Sequence, residues 1–247
     1  MVDRYPLIVA ANRDEHFDRP TAPPALWSTE PKFLAGKDLL AGGTWLGVNE
    51  HGLLVGILNR RSSGGPDPLN QTRSRGLLCL DLLNLKSAAD AHAFVDRHQE
   101  LYQPFTVVFV DPSEAWIAYN VGRQIKAHKL NQGLHVYSSA AEFAVRTEKV
   151  DRAHVQFARV LEETRSNCSD KSLWVRSLRK VLGDHTLGNG DGSNDARDAI
   201  CVHGDLAGTV SSTIIFLDQP EQRFYFFNCP GPPCRASFTE ALLLHIG

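Results

Sequence analysis

The chain has 247 residues, 43% apolar and 22% charged, the balance of a protein that buries a core and solvates its outside rather than of a disordered one. Twenty-six basic residues against 28 acidic ones leave a formal charge of −2, so no global positive field is present to hold a nucleic acid. The amino terminus lacks a basic stretch followed by a long apolar run, and no later run is long enough to cross a bilayer; a cytoplasmic protein without a membrane span is expected.

Tyr5 to Ala11 is rich in Leu, Ile and Val and predicts a buried first strand, with the polar run Asn12-Arg13-Asp14-Glu15 at its end. Arg19 to Pro31 carries Pro20, Pro23, Pro24 and Pro31, a composition that predicts an extended surface loop. Thr44 to Val48 and Leu53 to Leu58 form a hairpin pattern joined by Asn49-Glu50-His51-Gly52. Residues 60–75 are loaded with Ser, Gly, Pro and Asn and predict a mobile loop. Helical patterns follow from Leu77 and from Ala88 to Leu101, the second with Ser87 as its N-cap.

Four short strands are predicted at 105–110, 115–120, 124–129 and 134–138, an antiparallel meander. Helices are predicted over 145–164 and 172–182, then a Gly- and Asn-rich loop at 188–194, then strands at 200–203, 210–217 and 224–228. Strands in groups separated by helical pairs argue for stacked antiparallel sheets under helices, since a parallel doubly wound sheet would alternate strand and helix. One domain over 1–247 is expected.

The tetrad Asn12 to Glu15 groups an amide, a guanidinium and two carboxylates, a set able to grip an anion or a polarised carbonyl. It fits equally a surface ion pair with Asn12 capping a turn. Gly42-Gly43-Thr44-Trp45-Leu46-Gly47 lets backbone approach a ligand closely beside Thr44 and Trp45, or forms a bulged strand with a core Trp. No phosphate-binding glycine fingerprint is present. Cys229 and Cys234 are separated by Pro and Gly, no second pair stands at zinc spacing, and no metal site is expected. His51 and His203 are expected at turns. Five scattered cysteines suit reduced thiols.

Ala10-Ala11-Asn12-Arg13-Asp14-Glu15, Arg19-Pro20, Gly36, Gly42 to Gly47, Asn59-Arg60 and Ser74-Arg75-Gly76, in this order, resemble the NRDE-motif family, also called the Transport and Golgi organisation protein 2 family. Ile200 to Asp205 with Gly208 to Thr213 resembles its carboxy-terminal signature. The resemblance implies an N-terminal-nucleophile-hydrolase-like fold: α+β, a four-layer αββα sandwich of two mainly antiparallel sheets. It also implies a catalytic role for Arg13 and Asp14 in enzymes that attack an amide with an N-terminal Cys. Here Val2 follows Met1 where the family begins Met-Cys, so the first strand reads as shortened and the nucleophile as missing. Ser139 stands where the family often has Asn, and Val210 where many relatives have Arg.

The family's association with haem trafficking and with acyl-CoA or lipid homeostasis implies a small-molecule ligand. The expected function is to bind and hand on a haem-like or acyl-CoA-like molecule through Asn12, Arg13, Asp14, Glu15, Thr44, Trp45, Asn59 and Arg60. No cofactor is required, and haem is a candidate cargo. The alternatives are an amidohydrolase whose Cys lies outside this sequence, and a protein scaffold in secretion.

Overall fold

A computed structural model describes residues 4–60, 72–98, 100–121, 124–139, 147–164, 169–187 and 195–247. In chain order its first elements are β1 (Leu7–His16), β2 (Thr21–Trp27), β3 (Phe33–Asp38), β4 (Leu46–Asn49), β5 (Leu54–Asn59), α1 (Arg75–Leu83) and α2 (Ala88–Arg97). There follow β6 (Phe105–Val110), β7 (Ala115–Val121), β8 (Gln124–Leu130), α3 (Glu148–Thr164), α4 (Lys171–Leu182), β9 (Ala207–Asp218), β10 (Arg223–Cys229) and β11 (Leu242–His245). The expected class holds: the chain is α+β, with two antiparallel sheets and helices that pack on them in pairs.

The chain divides into two compact units, one of residues 1–19, 133–137 and 146–243, the other of 20–132, 138–145 and 244–247. The first is built on the four-stranded sheet of order β1-β9-β10-β11. Ile214, Ile215, Phe216 and Leu217 of β9 are all buried, as a central strand covered on both faces requires. Ile8, Ala10 and Phe216 pack with Tyr5, Trp174 and Leu178 in one core cluster. The Phe216 ring lies 5.2 Å from that of Tyr5 and 6.3 Å from that of Trp174, spacings at which tilted and edge-on rings attract. Asp170 caps α4 by accepting from the Ser172 and Leu173 N–H groups.

The second unit holds the seven-stranded sheet, order β2-β3-β4-β5-β6-β7-β8, in which each strand pairs with its sequence neighbour. Short connections join the other neighbours, whereas α1 and α2 lie between β5 and β6 and cover the sheet through Leu78, Leu82, Ala91 and Val95. Ser87 caps α2 as expected, accepting from the Asp90 N–H at 3.1 Å. Gly52 closes the β4–β5 hairpin at φ +89°, a left-handed turn position that a side chain would strain.

Several expectations need correction. The tetrad Asn12 to Glu15 does not follow β1 but lies inside it, because β9 pairs with β1 from Leu7↔Leu217 to His16↔Ala207. The middle of the proline-rich stretch, Thr21–Trp27, is not loop but the edge strand β2, while residues 19–20 and 28–31 lie outside any strand. An edge strand tolerates residues without a donor on its open side, and Pro23 and Pro24 fall where the register with β3 shifts. Strands β3 and β11 were not expected. Residues 134–138 form no strand, and 200–203 contribute only a bridge from His203 to Gly208. The loops expected at 60–75 and 188–194 fall mostly or wholly outside the described residues. No described helix is long and apolar enough to cross a membrane.

Candidate functional site

Alternation along β1 divides the tetrad between two faces. Asn12 points the same way as Ile8 and Ala10, toward α4. It donates one amide hydrogen to the Leu182 carbonyl at 2.8 Å and the other to the Ile200 carbonyl at 2.9 Å, while the Ser212 hydroxyl donates to its oxygen at 2.6 Å. Leu182 ends α4, so Asn12 satisfies one of the carbonyls that a helix C-terminus leaves open.

Asp14 shares that direction. Thr209 donates its hydroxyl to Asp14 Oδ1 at 2.6 Å and accepts the Val202 N–H at 2.9 Å, which ties β1 to the segment before β9. The Asp14 residue keeps exposed surface, yet the protein around its carboxyl desolvates it and raises its pKa; the Thr209 hydroxyl and the Lys149 charge oppose the rise. Between Arg13↔Ser211 and Asp14↔Thr209 the register slips by one residue, and Val210 is the unpaired one. Val210 is therefore the extra residue of a β-bulge.

Arg13 and Glu15 face away from the helices. Arg13 Nη2 lies 3.4 Å from Glu15 Oε2, and Arg19 Nε lies 3.8 Å from the same oxygen, so two guanidiniums converge on one carboxylate. The Arg13 side chain is only 9% exposed. Directly after β1, the Phe17 N–H donates to the Leu206 carbonyl at 3.1 Å, and these two apolar residues are 56% and 78% exposed. Phe17 and Leu206 carried no sequence signal, since a single exposed hydrophobe resembles a core residue until burial is known.

Thr44, Trp45, Asn59 and Arg60 belong to the second unit. Thr44 is buried, with its N–H donating to the Gly76 carbonyl at 3.1 Å. The glycines beside it serve the protein's own packing. A Cβ on Gly43 would come within 2.3 Å of Gly76 backbone, and one on Gly36 within 2.5 Å of the Trp45 ring. Asn59 is exposed at the end of β5. Arg60 donates to the Asn120 carbonyl at 2.6 Å and lies 5.4 Å from the centre of the Tyr119 ring. The tetrad thus gathers in one unit and the other four candidates in the other.

The family model described as Transport and Golgi organisation 2 matches residues 2–228. The chain belongs to this family. The mouse Transport and Golgi organization 2 homolog is 34% identical over 115 residues, 44% of this chain and 40% of the relative. The match therefore spans about two-fifths of the curated relative's length. Among solved structures, penicillin V acylase from Agrobacterium tumefaciens superposes with a TM-score of 0.58 at 16% identity, over 94% of this chain and 82% of that one. A variant of conjugated bile acid hydrolase from Clostridium perfringens gives 0.54 at 10% identity, over 97% and 94%. These likenesses establish an N-terminal-nucleophile-hydrolase-like fold.

For the Transport and Golgi organisation 2 chain described here, the carboxy-terminal signature does more than the sequence suggested. His203, expected at a turn, meets both Cys201 and Cys234, and His185 stands beside it. Burial, with the Arg235 and His185 charges, lowers the His203 pKa; burial first, then the neighbouring Cys234, pushes the Cys201 thiol up to about 12. Spacing could not reveal this group, because Cys234 is 33 residues from Cys201 and reaches it only through the fold. The described cysteines are free thiols.

Proposed function

We propose that this member of the family binds and hands on an amphipathic small molecule, haem-like or acyl-CoA-like, whose anionic group meets Arg13. One observation carries the reading: the end of β1 sets exposed Phe17 and Leu206 beside the Arg13–Glu15–Arg19 cluster. Apolar surface next to forked donors matches a ligand with an apolar body and a carboxylate or phosphate head. Asn12 and Asp14 then act as supports, because their polar atoms already hold the strand to α4 and to Thr209. Arg60, on the other unit, is a separate candidate for an anionic group. No cofactor is required in this scheme, and haem is cargo.

Titration of the purified chain with haem and with a long-chain acyl-CoA tests it. Arg13→Ala is expected to weaken one of them about tenfold or more, the loss of one charged contact. Unchanged affinity for both ligands in Arg13→Ala and in the double variant with Arg60→Ala would remove the assignment.

A second reading is hydrolysis of a linear amide bond by an N-terminal Cys. It is favoured by the fold likeness to proteins named as an acylase and a conjugated bile acid hydrolase. Arg13 and Asp14 would then assist the reaction, but residue 2 is Val, and the thiol must come from a residue this sequence does not contain. The terminal sequence of the protein made from its native locus discriminates: a mature chain starting with Cys upstream of Tyr5 favours hydrolysis.

A further inference from the structure

Three potential metal ligands converge in the first unit, and a fourth, the Cys201 thiol, lies against two of them. Cys201 Sγ lies 3.7 Å from His203 Nε2 and 3.7 Å from Cys234 Sγ, and His203 Nε2 lies 3.2 Å from Cys234 Sγ. The ligand atoms of His185, His203 and Cys234 all fall within 4.8 Å of one another. His203 and Cys234 are thus shared by both sets, with Cys201 on one side of them and His185 on the other. With zinc–sulfur bonds of about 2.3 Å and zinc–nitrogen bonds of about 2.0 Å, tetrahedral geometry sets sulfur–sulfur edges near about 3.8 Å and sulfur–nitrogen edges near about 3.5 Å.

The surroundings hold the ligands in place. His185 Nδ1 lies 3.3 Å from the Gly183 carbonyl; a proton on Nδ1 donated there leaves Nε2 as the free ligand nitrogen, the outer-shell arrangement that metal-binding histidines use. The Cys201 N–H donates to the Asp184 carbonyl at 2.7 Å, which fixes the Cys201 backbone next to the residue preceding His185. Arg179 of α4 donates from Nε to the Pro233 carbonyl at 2.9 Å and pins the segment carrying Cys234. A Cβ on Gly183 would lie 3.2 Å from the Cys234 nitrogen, so the helix end and that segment are in close contact. Cys201 is buried, His203 and Cys234 are half-buried, and His185 is exposed, which leaves an entry path from solvent on the His185 side.

We propose that His185, Cys201, His203 and Cys234 form a closed tetrahedral site for a divalent transition metal of the zinc type. Two metal–sulfur and two metal–nitrogen bonds form; the two thiols give up their protons to solvent, so the bound site is neutral. The role is structural. The metal joins the end of α4, the segment before β9 and the segment after β10, adding to the packing and hydrogen bonds that already hold them.

The test uses the full chain, reduced and stripped of metal under anaerobic conditions, and titrated with Co(II) followed by Zn(II). The expected result is one equivalent of Co(II) bound, with the visible bands of a tetrahedral site and thiolate charge-transfer absorption, all bleached by one equivalent of Zn(II). Cys234→Ser abolishes the charge-transfer-rich tetrahedral spectrum, and His185→Gln, at an exposed position that tolerates change, weakens binding at least about tenfold. Cys229→Ser leaves both unchanged. If the reduced chain takes up no stoichiometric metal, the proposal is wrong. The same holds if His185→Gln and Cys234→Ser bind as the parent does, or if the thiols yield only a Cys201–Cys234 disulfide and no metal complex.

Discussion

Two asparagines perform the same task in the two units, and the contrast between them separates scaffold from site. Asn49, in β4, donates to the Leu83 carbonyl at 2.9 Å and to the Leu85 carbonyl at 2.7 Å, at the C-terminal end of α1. Asn12, in β1, does the same for Leu182 of α4 and for Ile200. Both use a strand amide to satisfy carbonyls that a helix end leaves open. They differ in what their oxygen holds. Asn49 accepts from the His51 and Leu53 N–H groups and closes its own hairpin, whereas Asn12 accepts from the Ser212 hydroxyl of the neighbouring strand. After Asn49 the chain turns; after Asn12 it continues as strand and presents Arg13 on the opposite face. The same clamp is scaffold alone in one unit and the support of a charged cluster in the other.

That comparison can be broken experimentally. The largest effect is expected from Asn49→Ala, which strands several buried donors and acceptors at 0% exposure and should lower stability by about 3–4 kcal/mol in chemical denaturation. Asn12→Ala should lose about 2–3 kcal/mol, since its surroundings are only part-buried and water can replace some partners. Equal losses would show that the two clamps are energetically alike.

Asp218→Asn comes next, at about 2 kcal/mol near neutral pH. Asp218 is buried and holds Arg4 at 2.8 Å and Lys171 at 2.7 Å, but both cations keep solvent contact, which weakens the pair. Despite burial, the hydrogen bonds from Lys171 and Arg4 lower the Asp218 pKa. Its contribution is therefore present above about pH 4 and is lost as pH falls through the depressed folded value. The gap between Asp218→Asn and the parent should shrink in acid.

Asp14 titrates in the opposite sense. Its folded pKa is raised, so the parent loses stability as pH rises from about 4 through that raised value. Asp14→Asn, which keeps an oxygen for the Thr209 hydroxyl, should compare more favourably with the parent at pH 7 than at pH 4. This is the smallest effect, and urea midpoints at the two pH values measure it. A gap that moves the other way would mean that Lys149 and Thr209 outweigh desolvation.

The fold was legible in the sequence where pattern and propensity agree, as in the hairpin at Gly52, the Ser87 cap and the β6–β8 meander. It was illegible where pairing overrides composition. Asn12 to Glu15 read as the end of a strand because four polar residues break an apolar run, but β9 carries β1 on to His16. Pro23 and Pro24 read as loop until an edge position and a register shift accommodated them. The motif residues were found by type; their division between clamp and charged cluster was not, since it depends on which face meets α4. Cys201 and His203 are sequence neighbours, but Cys234 and His185 lie too far from them in sequence for ligand spacing to join the group.

The most direct test of the account compares ligand affinity in Asn12→Ala and Arg13→Ala at a temperature where both are folded. The account predicts that folded Arg13→Ala binds haem or acyl-CoA about tenfold or more weakly than the parent, while folded Asn12→Ala, though less stable, keeps an affinity within a few-fold of the parent. Tight binding by Arg13→Ala, with affinity lost only in Asn12→Ala, would contradict it.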